Sequence, residues 1–412
     1  MPRPTLKPDS STKQPPDIAD NSGGDGAPNV GASTDSNSED TPARTFWQVV
    51  RYLAAYRLVY LAMVCLAGWM LPNQYNEHIY LTDYHVLAKV PQTMARFFIT
   101  WDSEHYIGIS IFGYQPGSEN QAFYPLWPLI MRGGSYILGG PIAAGVILAN
   151  TICVFAVAGL FMFLQNRFGR RTAELSILLL LAMPGAIFFA FPYSESLCLA
   201  LSVWALISLD RGKYPVAGTA ALLAALARPV GVFWVLVFAG AAWQKRDRRL
   251  LGLCLFPFAG YCAFLLILHS QTGNAFGQFA AIHAYANGAS PMNLVDLHGF
   301  WRALTNVGAE HVYGDSPIDR LFFVWLAGTL YATYRRDKML FMYSIAFGLL
   351  PAVLTHFISY SRYVVLAFPM LVVTADYFKP DYKRPYFLAL LVGLFMLQMI
   401  FLVLHINNNW AG

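Results

Sequence analysis

The stretch RFFITWDSEHYIGISIFGYQPGSENQAFYPLWPLIMR, residues 96–132, sets Asp102, Glu104, His105, Glu119 and two arginines among a dense group of aromatic side chains. On both sides of it the sequence is strongly apolar. Of the 412 residues, 56% are hydrophobic and 12% are charged, about half the charged fraction usual in a soluble domain. Apolar runs of about 20 residues recur from residue 47 to residue 405, each long enough to cross a bilayer as a helix. They are continuous rather than alternating, which argues against a β-barrel. The fold class is an all-α polytopic membrane protein, and residues 96–132 form a polar island within it.

Lysine and arginine fix the threading. They cluster at Arg167, Arg170 and Arg171; at Arg211 and Lys213; at Lys245, Arg246, Arg248 and Arg249; at Arg335, Arg336 and Lys338; and at Lys379, Lys383 and Arg384. Basic loops stay on the cytoplasmic side. One threading satisfies all five, with spans near 47–71, 141–165, 172–190, 193–209, 214–227, 230–243, 250–269, 318–334, 339–357, 362–378 and 385–405. This predicts about eleven transmembrane helices, a cytoplasmic N-terminus and an outside C-terminus.

Two local expectations follow. Residues 121–140 must not cross, and Pro125, Pro128, Arg132 and Gly133-Gly134 are expected to break any spanning helix there. Residues 214–243 must enter and return. Each half is about 14 residues, or roughly 21 Å of helix, shorter than a ~30 Å hydrocarbon core. The turn at Arg228-Pro229 is then placed at the floor of a funnel, where irregular backbone is tolerated beside protein or water.

Residues 1–45 are polar and rich in Ser, Asp, Asn, Pro and Gly, and read as a disordered cytoplasmic tail. Residues 46–412 form the transmembrane domain, with long outer segments at 72–140 and 270–317. The formal charge of +5 is spread in short clusters and does not support nucleic-acid binding. The five cysteines lie inside apolar segments with no CxxC pair, as buried thiols do. The histidines fall on the outer side without HxxxH or HxH spacing, so no metal site is expected.

Five features meet at the outer face: Asp102 in TWDSEHY, the run AFYPLWP at 122–128, Glu195 in FPYSES, Arg228 in LARPVG and Arg362 in SYSRYVVLAFP. Ionisable groups at membrane depth are costly and are functional candidates by default. Each has a second reading. Asp102 either caps a helix, acts as a catalytic carboxylate, or does both. His105, three residues on, shares a helical face with Asp102 and can orient it. Glu195 opens a helix after Pro192, where the helix dipole favours an acid. Arg228 and Arg362 either pair with Glu195 or Asp102, or bind a phosphate through their forked donors. Trp101, Tyr106, Phe123, Tyr124 and Trp127 either form an interfacial belt or stack on a sugar ring.

A lipid-linked phosphosugar uses these parts together. Arginines hold the phosphate that leaves, and a carboxylate on the opposite side takes the proton of the attacking hydroxyl. The leaving group is already good, so the chemistry requires no metal and no cofactor.

The 96–132 stretch resembles the first-loop signature of the PIG-V family, the GPI mannosyltransferase 2 type. The matching residues are Trp101-Asp102, His105, Gly113-Tyr114 and Ala122–Pro128, ending at Arg132. FPYSESL, LDRGKY and LARPVGV resemble the following blocks in order, and SRYVVLAFPM a block nearer the C-terminus. Val230 stands where members often carry Asn.

The resemblance covers residues 46–380. It implies a GT-C glycosyltransferase fold with short interfacial helices in the first extracytoplasmic loop. It also implies a polyprenyl-phosphate-mannose donor, Asp102 as the essential acid, and Tyr193–Ser196 as the matching Tyr-Ser-Glu-Ser.

The expected function is an inverting membrane mannosyltransferase acting at the outer face on a lipid-linked or glycan acceptor. Asp102 and His105 are the expected catalytic pair and Arg228 and Arg362 the donor-phosphate ligands. Trp101, Tyr106, Phe123, Tyr124, Tyr193 and Glu195 are expected to bind substrate. The compact length resembles prokaryotic members, which implies the bacterial plasma membrane, with the endoplasmic reticulum as the eukaryotic alternative. The rival classes are a lipid or sugar transporter and a membrane acyl- or phosphotransferase. A transporter usually has two pseudo-equivalent halves, and no second copy of the Trp-Asp block or the Arg-Pro turn is found.

Overall fold

The computed structural model describes residues 41–70, 93–285, 289–308, 315–407 and 409–411. Every regular element among them is helical. The predicted disordered tail lies outside the described residues as far as residue 40. Its predicted end at residue 45 is too late, since the first helix runs Pro42–Met70 with proline at its start, where the missing N–H costs nothing. Parts of both predicted outer segments, 71–92, 286–288 and 309–314, also lie outside the described residues.

Among the described residues, five helices are long and apolar enough to cross a membrane: Pro42–Met70, Pro141–Phe168, Arg248–Thr272, Lys338–Thr355 and Asp381–Ile406. The other predicted spans are not long unbroken apolar helices. Arg170–Ala182 stops before a tight 3-10 turn at Pro184–Phe189. The span expected at 362–378 is split into Tyr360–Val364 and Pro369–Tyr377. Pro317–Arg336 is long but carries Asp319, Arg320, Arg335 and Arg336. Prolines 184 and 369 explain the breaks, because each removes a donor and crowds the preceding turn.

Residues 121–140 hold no helix long enough to span, as expected, yet their prolines and glycines do not prevent a short one. A helix runs Leu126–Leu138 straight through Pro128, Arg132, Gly133 and Gly134. Pro128 lies in the first turn, where its lost N–H would be unbonded anyway. At 13 residues the helix reaches only about 20 Å, well short of a bilayer core. With Asp102–Phe112 and the turns Met94–Phe98 and Glu119–Ala122, it makes the set of short helices expected in the first outer segment.

Two short helices stand where residues 214–243 were expected to enter and return. Tyr214–Ala227 and Trp234–Lys245 flank a 3-10 turn at Pro229–Phe233. The first arm buries Ala217, Gly218, Ala220, Ala221, Ala224, Ala225 and Ala227. Small residues let helix backbones approach closely when hydrophobic exclusion from water is not the driving force.

The Glu195–Asp210 helix sorts the charges. Its first residue, Glu195, meets two arginines, whereas its last, Asp210, bonds Arg167 at 2.7 Å. Sixteen residues separate the ends by roughly 22 Å. Arg167 also pairs with buried Asp337, and Arg336 with Asp376, so basic residues from separate predicted clusters meet acids at the ends of four helices. The apolar core includes Leu160, Leu180, Leu206, Trp234, Phe238 and Phe347.

Candidate active site

Four chain breaks bring four charged side chains together. Arg228 precedes Pro229, and the proline ring disfavours helical geometry in the residue before it. Arg228 is accordingly extended (φ −155°, ψ 152°) and ends its helix. The turn beyond it is tight. A Cβ on Gly231 would lie 2.1 Å from the Ala224 carbonyl oxygen, so only glycine fits.

Arg362 sits in the short Tyr360–Val364 helix, after a segment in which His356, Phe357 and Ser359 all have positive φ. Two contacts hold that backbone. The Ser361 amide donates to buried Asp319 Oδ1 at 2.7 Å. The Ser361 carbonyl presses on Gly185, where a Cβ would stand 2.2 Å away.

Glu195 opens its helix behind Ser194, as expected. Trp127 helps fix that entry by donating its indole N–H to the Pro192 carbonyl at 3.0 Å. Asp102 is the first residue of Asp102–Phe112 rather than its N-cap. Trp101 holds the cap position, with φ 50° and ψ −126° and no side-chain cap bond. Non-glycine residues held in such regions cluster at functional sites.

The four side chains form one chain of contacts. Arg362 donates from Nη1 to Asp102 Oδ2 and from Nε to Glu195 Oε1. Arg228 Nη1 reaches the same Glu195 oxygen at 2.6 Å. Exposure is 8% for Asp102, 8% for Arg362, 2% for Arg228 and 0% for Glu195. The formal charges cancel, and buried charges persist only when so paired and bonded. The ion-pair reading of both arginines is thus realised.

Two atoms in this group have no hydrogen-bond partner among the described residues: Glu195 Oε2, an acceptor, and Arg228 Nε, a donor. A ligand hydroxyl can donate to the first and a ligand oxygen can accept from the second.

The surrounding residues are polar at their tips and aromatic in their bodies. Tyr106 OH lies 2.8 Å from Ser194 Oγ, which accepts a longer bond from Arg228 Nη1 at 3.3 Å. The Arg362 guanidinium lies over the Tyr193 ring at 4.6 Å and that of Arg228 over Tyr363 at 5.3 Å. Burial pushes the Tyr106 phenol well above its ordinary pKa, so it serves as a neutral hydrogen-bonding group.

His105 is buried and stacks on Phe123, centroids 4.3 Å apart and planes 14° from parallel. Burial lowers its pKa to about 4 against an opposing pull from Asp102. At neutral pH it is an uncharged imidazole.

The interfacial-belt reading fails for most of the aromatics. Tyr106, Phe123, Tyr124 and Trp127 are buried, and Tyr124 packs on Phe264 at 4.3 Å. A belt requires rings at a water–lipid boundary. Trp101 alone of the named group is half-buried, edge-on to Trp410.

Sequence reasoning missed several buried polar residues that shape this region. Asp319 was visible as an acid at the head of an apolar run. Arg57, in the middle of the first span, was visible for the same reason. It donates to Asn150 Oδ1 at 2.9 Å, and Asn150 in turn donates to the Ala190 carbonyl. His405 carried no comparable signal.

The family described as Mannosyltransferase (PIG-V) matches residues 46–253, a segment that holds Asp102, His105, Glu195 and Arg228 but not Arg362. No curated protein matches the sequence. Solved structures are similar at low identity, two of them as follows. The Archaeoglobus fulgidus oligosaccharyltransferase, in a complex with zinc and sulfate, aligns with a TM-score of 0.46 and 12% identity over 85% of this chain. This chain spans 53% of that protein's length. ArnT from Cupriavidus metallidurans, bound to undecaprenyl phosphate, aligns with a TM-score of 0.41 and 13% identity, over 86% of this chain and 74% of the other. With half its length matched by the family, and with that match spanning three of the four charged residues of the site, the chain belongs to the PIG-V mannosyltransferase family.

Proposed function

We propose that the protein transfers mannose, with inversion, from a polyprenyl-phosphate-mannose donor to a hydroxyl of a lipid-linked or glycan acceptor. Asp102 is the general base and His105 its neutral neighbour. Arg228 and Arg362 receive the donor phosphate, and Glu195 receives the acceptor. One observation carries this reading: two carboxylates and two guanidiniums, Asp102–Arg362–Glu195–Arg228, are gathered and buried together at helix ends.

A phosphate oxygen accepts from Arg228 Nε, and a second acceptor hydroxyl, not the attacking one, donates to Glu195 Oε2. Asp102 and Arg228 are the two ends of the contact chain, which suits a base and a leaving phosphate on opposite faces of the sugar carbon. In the reaction the hydroxyl oxygen bonds to that carbon and its proton passes to Asp102. The bond from carbon to phosphate oxygen breaks, and its electron pair leaves with the phosphate. The ring faces of Tyr106, Tyr193 and Phe123 are covered in this conformation, so stacking on a sugar requires the site to open. The quartet lies at the opposite end of the Glu195–Asp210 helix from Arg167, which supports an outer-face site in a membrane whose basic loops face the cytoplasm.

The test is transfer from radiolabelled polyprenyl-phosphate mannose to a lipid extract by purified protein. Wild type should form a new glycolipid. Asp102→Asn should lose product by at least about 100-fold while still binding the donor. Undiminished turnover in that variant would reject Asp102 as the base.

A further inference from the structure

The strained residue before Asp102 is held in place from outside the matched family segment. His405, near the end of the Arg384–Ile406 helix, is 1% exposed and lies edge-on to Phe191 with centroids 4.5 Å apart. Its Nε2 and the Thr100 hydroxyl are 2.8 Å apart and share a hydrogen bond. The rest of Thr100 is also bonded. Its amide donates to Ser103 Oγ at 2.7 Å, and its carbonyl accepts from Tyr193 OH at 3.0 Å. One residue on, the Trp101 indole N–H donates to the Asn409 carbonyl at 3.3 Å. A backbone in a sparsely populated region persists only when its surroundings over-determine it. Here the C-terminal helix and the segment after it supply two of the restraints.

We infer that His405 is a positioning residue for the reaction: by bonding the Thr100 hydroxyl it holds the Thr100–Trp101 turn that aims the Asp102 carboxylate. The inference rests on Asp102 being the base, as proposed above. His405 touches no reacting atom. Its loss leaves the arginines in place, so it should slow the chemical step without weakening donor binding.

The experiment compares His405→Leu, His405→Gln and Thr100→Val in full-length protein. Each is read by steady-state kinetics with polyprenyl-phosphate mannose and by amide hydrogen exchange across residues 97–106. Glutamine can restore a hydrogen bond to Thr100, whereas leucine cannot. His405→Leu should lower kcat about tenfold with donor KM changed less than about twofold, the pattern of a misplaced catalytic group. Exchange at Thr100–Glu104 should quicken about fivefold, which one lost hydrogen bond accounts for. His405→Gln should recover most of both. Thr100→Val removes the same bond from the other side and gives the test if the leucine variant does not fold.

Unchanged exchange in both of these variants overturns the inference. So does quickened exchange with normal kcat, or a glutamine variant as slow as the leucine one. The exchange readout needs no turnover, so an Asp102→Asn enzyme that stays active would sink the assignment of the base without being confused with this result.

Discussion

Glu195→Gln is the sharpest probe of the buried quartet. The substitution keeps shape and leaves an oxygen for Arg362 and Arg228 to bond. It removes one negative charge from a group whose formal charges cancel. Two guanidiniums, 8% and 2% exposed, would then share a single carboxylate. Removing one partner of a buried ion pair costs about 3–5 kcal/mol, and the retained oxygen places the expected loss near the lower end, about 3 kcal/mol.

The companion change is Arg228→Met, which leaves the group one charge negative. The double variant leaves only Asp102 and Arg362 and restores neutrality. If charge balance governs the site, the double variant should lose less stability than the two single losses sum to, with a coupling of about 2 kcal/mol or more. Reversible unfolding in mixed detergent micelles measures all four corners of the cycle. A Glu195→Gln loss below about 1 kcal/mol, or strictly additive costs, would refute the view that the quartet is an electrostatic unit.

Two further outcomes are expected. His105 has a folded pKa of about 4 against an ordinary 6.5, so between those values the unfolded chain binds the extra proton. Stability should therefore fall as pH drops from 6.5 towards 4, by about 3 kcal/mol from this group. His105→Phe should flatten that part of the pH–stability curve, and an unchanged slope would show that another group is responsible. Gly231→Ala would drive a Cβ against the Ala224 carbonyl, where no flexible side chain can yield. It should cost about 1–3 kcal/mol and raise donor KM by displacing Arg228, whereas an unaltered KM would separate that turn from donor binding.

Much of this site could be read in the sequence because it obeys strong local rules. Pro229 had to extend Arg228, and Pro192 had to precede a new helix, so the helix ends that carry Arg228 and Glu195 followed from proline chemistry. Charged residues in apolar surroundings marked Asp102 and Arg362. What stayed hidden depends on packing across long sequence separations. The bond from Asp319 to Ser361 and the contact of His405 with Thr100 join residues 42 and 305 positions apart, and no periodicity encodes them. The burial of the aromatics near Asp102 also stayed hidden, because composition fits a membrane interface and a buried cluster equally well. The helix through Pro128 and Gly133-Gly134 formed because first-turn proline is tolerated and glycine in a helix is a cost rather than a prohibition.

Charge conservation in the proposed reaction explains why Arg362 should touch both carboxylates. Before the donor arrives, two acids and two arginines balance. A phosphodiester donor brings one negative charge. Transfer converts it to a monoester with one charge more, and in the same step Asp102 takes a proton and loses its own. Negative charge therefore moves from Asp102 to the leaving phosphate, with no net change in the site. Arg362 is bonded to the group that is losing charge, and a neutral Asp102 holds it more weakly. Its fork can then turn towards the phosphate as that charge grows, while Glu195 keeps hold of Nε. A stabilising interaction that strengthens only as the bond breaks accelerates the chemical step instead of merely tightening the ground state. An arginine bonded to a phosphate alone would already be fully engaged with the substrate; one shared with the base gains most of its phosphate contact at the transition state.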